Sequence, residues 1–301
     1  MNFLRKIIPK KVLILYHYIV SFCFALWTRF PSKEIIVIGI TGTKGKSTVA
    51  YLTYVLLKSL GIKVALSCSD YIFANDEEIK LERRLTMPGR GFLHRFLRKA
   101  VSEKCQVAII EVTSEGLMYQ RHSFIDFDIA VFLNLHPEHI EHHGSYEAYR
   151  NAKGKLFKAL EKSKTKKYFN GTPVKKTIIV NLDDFESDYF LSFRSEQKMT
   201  FSLESFVYDQ KFNLRPSFYK LTRRGIEFIL DNKKFTSPLQ GKFNIYNILA
   251  SLAIIKSLNL PINNLDEAIK EFKGLPGRFD IINAKGFKVI VDYAPVSYTH
   301  L

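Results

Sequence analysis

Cysteine is scarce. Cys23, Cys68 and Cys105 are an odd number with no C-x-x-C pair among them. That excludes a disulfide framework and a cysteine-based zinc ribbon, and it suits a reducing compartment. Acidic residues are missing altogether from residues 1–33, which carry six Lys/Arg. A long hydrophobic run is missing too. VLILYHYIVSFCFALW, at 12–27, has 16 residues. As a helix it covers ~24 Å at ~1.5 Å per residue, short of the ~30 Å of a membrane core. No small-residue cleavage site follows it, which argues against a signal peptide. Collagen-like and solenoid periods are absent, and a chain that is 47% hydrophobic is too apolar for disorder.

The 301 residues suffice for one large or two medium domains. The net charge of +16 is uneven: residues 1–33 hold +6, residues 151–176 hold +8 from nine Lys and one Glu, and the rest holds +2. Neither patch comes with stacking aromatics or a helix-turn-helix pattern, so no nucleic-acid partner is expected. Phosphate-rich small substrates or an anionic membrane surface fit local patches as well. Residues 12–27 remain open among a helix packed on the main domain, a helix on a membrane surface, and a span.

From Glu34 the pattern alternates between strand and helix. Apolar β-type runs lie at 35–40, 63–67, 106–112, 128–134 and 177–181, and residues 91–103 have helical spacing. Such alternation predicts an α/β fold whose mostly parallel sheet is covered on both faces. Residues 199–238 read as short alternating strands, a small antiparallel patch. Residues 243–257 and 265–272 read as helices, and Pro276-Gly277 marks a boundary near 276–280.

GITGTKGKST at 39–48 follows a strand and opens a helix. Walker A spacing would place Gly where Ile40 stands, so this is a variant P-loop with the same physics. Gly42 and Gly45 allow a tight turn, and the N–H groups around Thr43 face phosphate oxygens at a helix N-terminus. Lys46 reaches the β/γ-phosphates of ATP, and the Ser47 or Thr48 hydroxyl suits Mg²⁺. EVTSEGL (111–117) places Glu111 at the carboxyl end of a strand, where open α/β sheets bind ligands, as either a surface carboxylate or a Mg²⁺ ligand. NLHPEHIEHHG (134–144) carries His136, His139, His142 and His143, whose spacing allows a zinc site, with solvated loop histidines the commoner reading. YRNAKGKLF (149–157) reads as an amphipathic basic helix with solvated lysines. In GKFNIYNILAS (241–251), Asn244 and Asn247 share a helix face, either usable for an adenine edge or a helix cap plus an exposed amide. LPGRFD (275–280) places Arg278 at the boundary.

In this order and spacing the pieces resemble the Mur ligases, the ATP-dependent amide ligases of peptidoglycan precursor synthesis, and within them the branch that adds the third residue of the stem peptide. The resemblance covers roughly 34–294. It implies that Lys46 and Ser47 serve the ATP phosphates and Mg²⁺, and that Glu111 and His139 are Mg²⁺ ligands. It also implies that Lys153 is carried as a carbamate, Asn247 touches adenine, and Arg278 and Asp292 contact the nucleotide across the cleft. Thr86-Met87-Pro88 matches the T-x-P substrate loop, with Thr113 and Ser114 beside it. Glu115 stands where that branch usually has His, and Glu138 and Glu141 stand where it has aspartates. The implied organisation is a basic, apolar helix (1–33), a central ATP-binding domain (34–278) and the start of a truncated C-terminal α/β ligase domain (279–294). A uridine-binding domain is not expected in the 33 residues ahead of the central domain.

The implied partners are a muramoyl-peptide precursor, UDP- or lipid-linked, and an amino acid, with the protein on the cytoplasmic side and possible only peripheral contact with the inner membrane face through 12–27. A substrate carboxylate takes the γ-phosphoryl group, and an amine then displaces phosphate. The rivals are a folylpolyglutamate synthetase-like ligase, against which NLHPEHIEHHG and TMPGR argue, and a non-catalytic membrane-tethered nucleotide-binding protein. PVSYTHL (295–301) can be encoded by a DNA sequence that resembles a transposon end used in library preparation, so it is expected to be foreign and the 301-residue chain to lack ligation.

Overall fold

The computed structural model describes residues 9–80, 86–89, 91–138, 140–167, 171–205, 212–278, 280–284 and 287–292. Helix α1 (Lys10–Trp27) precedes strand β1 (Ile36–Thr41), helix α2 (Lys46–Ser59), β2 (Val64–Ser67), β3 (Ile72–Ala74) and β4 (Glu77–Glu78). Then come α3 (Phe92–Ser102), β5 (Val107–Glu111), α4 (Ser114–Met118), β6 (Ile129–Phe132), α5 (Ile140–His143) and α6 (Tyr146–Lys162). A short pair, β7 (Lys166–Lys167) and β8 (Pro173–Val174), leads into β9 (Thr177–Asn181), α7 (Ser187–Leu191), β10 (Gln197–Phe201) and β11 (Asn213–Leu214). Strands β12 (Phe218–Thr222), β13 (Gly225–Leu230) and β14 (Lys233–Ser237) precede α8 (Lys242–Ser257), α9 (Asp266–Glu271), β15 (Asp280–Ala284) and β16 (Phe287–Val291).

The main sheet has the order β11-β10-β9-β6-β1-β5-β2-β3-β4, and every pairing from β11 to β2 is parallel. The buried apolar strands require this, because a parallel sheet needs cover on both faces. In β1 the side chains alternate with period 2. Ile36, Ile38 and Ile40 pack with α2, α8, α9 and the β12–β14 sheet, while Val37 packs on the opposite face with α3, α4, α6 and α7. The α/β expectation therefore holds, with a large mostly parallel sheet and a small antiparallel one.

One expectation needs correction. The antiparallel patch is β12–β14 alone; residues 199–201 belong to β10, which pairs parallel with β9 and β11. Alternation of polar and apolar residues marks any half-buried strand, and β10, next to last in the sheet, has it too. The far edge of the main sheet also turns antiparallel at β3 and β4. The turn is Asn75-Asp76, both at positive φ, a pair of residues that tolerate that conformation. Strands β15 and β16 form a two-stranded sheet of their own. Residues 295–301 lie outside the described residues.

Two histidines sit in the covered interior. His94 in α3 is 1% exposed, and burial pushes its imidazole down to about 4. His122 lies just past α4; burial, then Lys155, pushes it down to about 3. Both are neutral in the folded chain at pH 5 but protonated once unfolded, so stability present above pH ~6.5 is lost as pH falls, by about 2 kcal/mol each at pH ~5. Urea melts at pH 7 and 5 should show this loss, and the double variant His94→Gln/His122→Gln should flatten it whatever its stability at pH 7.

Candidate active site

The site assembles at the carboxyl ends of β1, β5 and β6. Chain reversal after β1 depends on Gly45, whose φ is +82° and which caps the N-terminus of α2. A Cβ there would stand 2.5 Å from Asn247 Oδ1, so the loop also has no room for a side chain. Asn247, 7% exposed on α8, donates its amide to Asn244 Oδ1 at 2.9 Å. It thus packs against the turn itself, where the sequence left it between an adenine contact and an exposed amide.

The loop is held from β6 as well. Asn134 Oδ1 accepts from the backbone N–H of Thr43 (3.0 Å) and of Lys44 (2.8 Å), and its Nδ2 donates to Lys44 O at 3.1 Å. The N–H groups around Thr43, expected to face phosphate oxygens, are thus turned to Asn134 instead. Thr43 Oγ1 accepts from His136 N at 3.0 Å and lies 3.2 Å from the Tyr149 hydroxyl. Asn134 and Tyr149 escaped the sequence reading. Asn134 opens the NLHPEHIEHHG stretch that was singled out for its histidines, and Tyr149 opens YRNAKGKLF.

Three predicted residues meet directly. Ser47 Oγ donates to Glu111 Oε2 at 2.9 Å, and Arg278 reaches Ser47 Oγ at 3.5 Å. Arg278 also donates to Asp70 Oδ2 at 3.3 Å. Glu111 Oε2 further accepts from Ser69 N (2.9 Å) and Ser69 Oγ (3.1 Å), and Ser69 Oγ in turn touches Thr86 Oγ1. Ser69 and Asp70, just past β2, are further residues the sequence reading missed; no motif marks them. Lys46 Nζ donates to Thr43 O at 2.9 Å. Thr48, in the first turn of α2, is half-buried.

Lys153 overturns the solvated-face expectation. It is 1% exposed, and its Nζ donates to Gly42 O at 2.8 Å. The period of α6 turns this lysine inward with Tyr149, Ala152 and Leu156. Burial, then the charge of Lys46, holds its amine well below the usual lysine range, against the pull of Glu138 and Glu111. Burial likewise lowers Lys46, opposed chiefly by Glu111. Glu138 is buried, and its Oε1 makes no hydrogen bond and lies 3.8 Å from Lys44 Nζ. Buried Lys153, Glu111 and Glu138 thus share the site with half-buried Lys46.

The substrate-loop residues form an adjoining layer. Thr113 caps α4 by accepting from Gly116 N at 3.1 Å, and its own N–H points at Met87 Sδ, 3.1 Å away. Ser114 Oγ lies 3.1 Å from His143 Nε2, and Pro88 is half-buried in the 86–89 stretch. His139 lies outside the described residues. The zinc alternative gains nothing: His136 is exposed, His143 faces Ser114, and no cluster of three His, Cys, Asp or Glu suited to a metal occurs among the described residues. Asp292 follows β16 as an exposed residue.

A family model described as the Mur ligase middle domain matches residues 40–255. The UDP-N-acetylmuramoyl-L-alanyl-D-glutamate–2,6-diaminopimelate ligase of Bacillus licheniformis is 33% identical over 269 residues, 88% of this chain and 52% of that protein. The UDP-N-acetylmuramyl-tripeptide synthetase of Borreliella afzelii is 35% identical over 273 residues, 88% of this chain and 51% of that protein. A solved UDP-N-acetylmuramoyl-L-alanyl-D-glutamate–2,6-diaminopimelate ligase superposes with a TM-score of 0.70 at 26% identity, over 86% of this chain and 51% of its own. The chain spans about half the length of these relatives.

Asn134→Ala should leave the Thr43 and Lys44 N–H groups without their side-chain acceptor and cost about 1–2 kcal/mol of stability. Asn134→Asp, which keeps the acceptor, should recover most of it. Urea denaturation of both variants checks the order.

Proposed function

The chain belongs to the Mur ligase family, and from that premise we propose that it is the ATP-binding part of a ligase that adds an amino acid to a muramoyl-peptide precursor on the cytoplasmic side of the membrane. The observation that carries this is the convergence of Lys46, Ser47, Glu111 and buried Lys153 on one glycine turn at a helix N-terminus. The turn suits a polyphosphate: the first N–H groups of α2, beyond the two that Asn134 takes, and the α2 dipole favour anionic oxygens, and Lys46 adds an amine beside them.

The donor set also fits a magnesium ion. Ser47 Oγ and Glu111 Oε2 are hard oxygen donors already in contact, and the buried Glu138 Oε1 lacks a hydrogen bond. Ser47 and Glu111 would hold the ion, with His139 and a carbamate on Lys153 beside them. When bound, it neutralises phosphate charge.

In the first step an acceptor carboxylate oxygen attacks the γ-phosphorus, the bond to the β-phosphate oxygen breaks, and ADP leaves. In the second an amine attacks the acyl carbon, loses a proton, and expels inorganic phosphate to leave an amide. Lys46 compensates the negative charge that crowds the turn in the first step, and Arg278 reaches the Ser47 hydroxyl beside it. Asn247 and Asp292 are assigned to the nucleotide, and Thr86, Pro88, Thr113 and Ser114 to the acceptor.

Lys46→Ala should abolish ATP binding, read by calorimetric titration, with an unchanged melting temperature. Ligation itself is assayed on the full product of the gene, with a UDP-muramoyl dipeptide and with a folate as acceptors. Turnover of the folate alone, or normal ligation by Lys46→Ala, would refute the assignment.

A neutral amine is the form of lysine that adds carbon dioxide, and Lys153 is buried beside a second cation. We expect crystals grown with bicarbonate to show a carbamate on Lys153, and Lys153→Ala to lose ligation and regain part of it with short carboxylates. An unmodified Lys153 together with an active alanine variant would overturn this.

A further inference from the structure

Helix α1 has its polarity inverted. The face turned to the protein carries His17, Ser21 and Ala25, all under 9% exposed, and continues to Thr28. The face turned outward carries Val12, Leu15, Tyr16, Ile19, Leu26 and Trp27, with Leu15 58% and Trp27 71% exposed, while Phe22 leans its ring on Phe124. The inner face is pinned from His17 to Thr28. Ser21 Oγ donates to Gln120 O at 3.2 Å, the His17 ring lies 5.4 Å from that of Tyr119, and Arg98 Nε donates to Thr28 O at 2.8 Å. Phe24 fills the space above Gly91, where an added Cβ would stand 1.9 Å from its ring.

This arrangement separates lying from spanning. A helix fixed sideways to a domain along its buried face cannot stand across a bilayer, and no helix among the described residues is long and apolar enough to cross one. Its outward stripe is nevertheless continuous and apolar, with Tyr16, Tyr18 and Trp27 as aromatics of the kind found at membrane interfaces.

Charge decides the occupant. Residues 1–33 hold Arg5, Lys6, Lys10, Lys11, Arg29 and Lys33 and no acid. A second copy brought face to face would set these positive segments against each other. An anionic lipid surface complements both the apolar stripe and its basic flanks. We propose that α1 lies flat in the interface of an anionic bilayer, outer face down, and holds the domain at the inner membrane surface.

Trp27, the chain's single tryptophan, reports on this directly. Phosphatidylcholine vesicles containing phosphatidylglycerol should shift its emission to the blue and carry the chain with them on flotation. Pure phosphatidylcholine vesicles should carry at least about tenfold less, and added salt should release it. Leu15→Glu/Ile19→Glu, both at exposed positions, should keep the circular dichroism spectrum and lose about tenfold in vesicle binding. The proposal is overturned if the chain does not float with anionic vesicles, or if the double variant floats equally well. A solution dimer that the double variant dissociates would instead identify a second copy as the occupant. Binding by this chain but not by the full product of the gene would show that another part of the protein covers the face. None of these readouts depends on ligase activity, so their failure leaves the proposed function standing.

Discussion

A turn that presents backbone N–H groups outward has little to hold it from within, so its shape has to come from neighbouring elements. Here the turn between β1 and α2 is gripped on several sides. Asn134 from the end of β6 accepts two of its N–H groups, Lys153 from α6 donates to Gly42 O, and Asn247 from α8 packs on Gly45. The parallel order β6-β1-β5 makes this possible, because it brings three strand ends to one edge. Ser47 and Glu111 meet there because α2 starts and β5 ends at that same edge.

Much of this was legible in the sequence. The buried strands, the glycine turn with its lysine and serine, and Glu111 at a strand end follow from run length and from the residue types that phosphate chemistry needs. The direction of Lys153 was not legible from its helix, and only the family resemblance placed it at the site. A lysine on an amphipathic helix is read as solvated, and only the tertiary packing of α6 shows that its stem and amine lie inside. Ser69 and Asp70 were invisible for another reason: they reach Glu111 and Arg278 from a separate strand end, and no local pattern marks such a meeting. Helix α1 was legible as a helix but not in its facing, because its polar residues are the ones turned inward.

The basic stretch 151–176 also changes meaning. Lys153, Lys166 and Lys176 are all buried, so that stretch is only partly a surface patch. Lys166 and Lys176 converge on Asp128, which is fully buried and accepts from Val37 N at 2.8 Å and from Lys176 Nζ at 2.6 Å. Two lysines on one carboxylate would leave an excess of positive charge in the interior, and burial, opposed by Asp128, lowers Lys166 from the usual lysine range. Lys166 disposes of part of it through the carbonyls of Ile35 (3.0 Å) and Asp126 (2.7 Å). This cluster ties the entry of β1 to the entries of β6 and β9, and removing any one member would strand the others without water.

Asn134 has a kinetic consequence. Because folding already orders the turn, a phosphate-bearing ligand meets a preformed cradle and spends little of its interaction energy on arranging it. Arrival is then governed by diffusion and by the local positive field, and differences in affinity between related ligands are expressed in how long each stays.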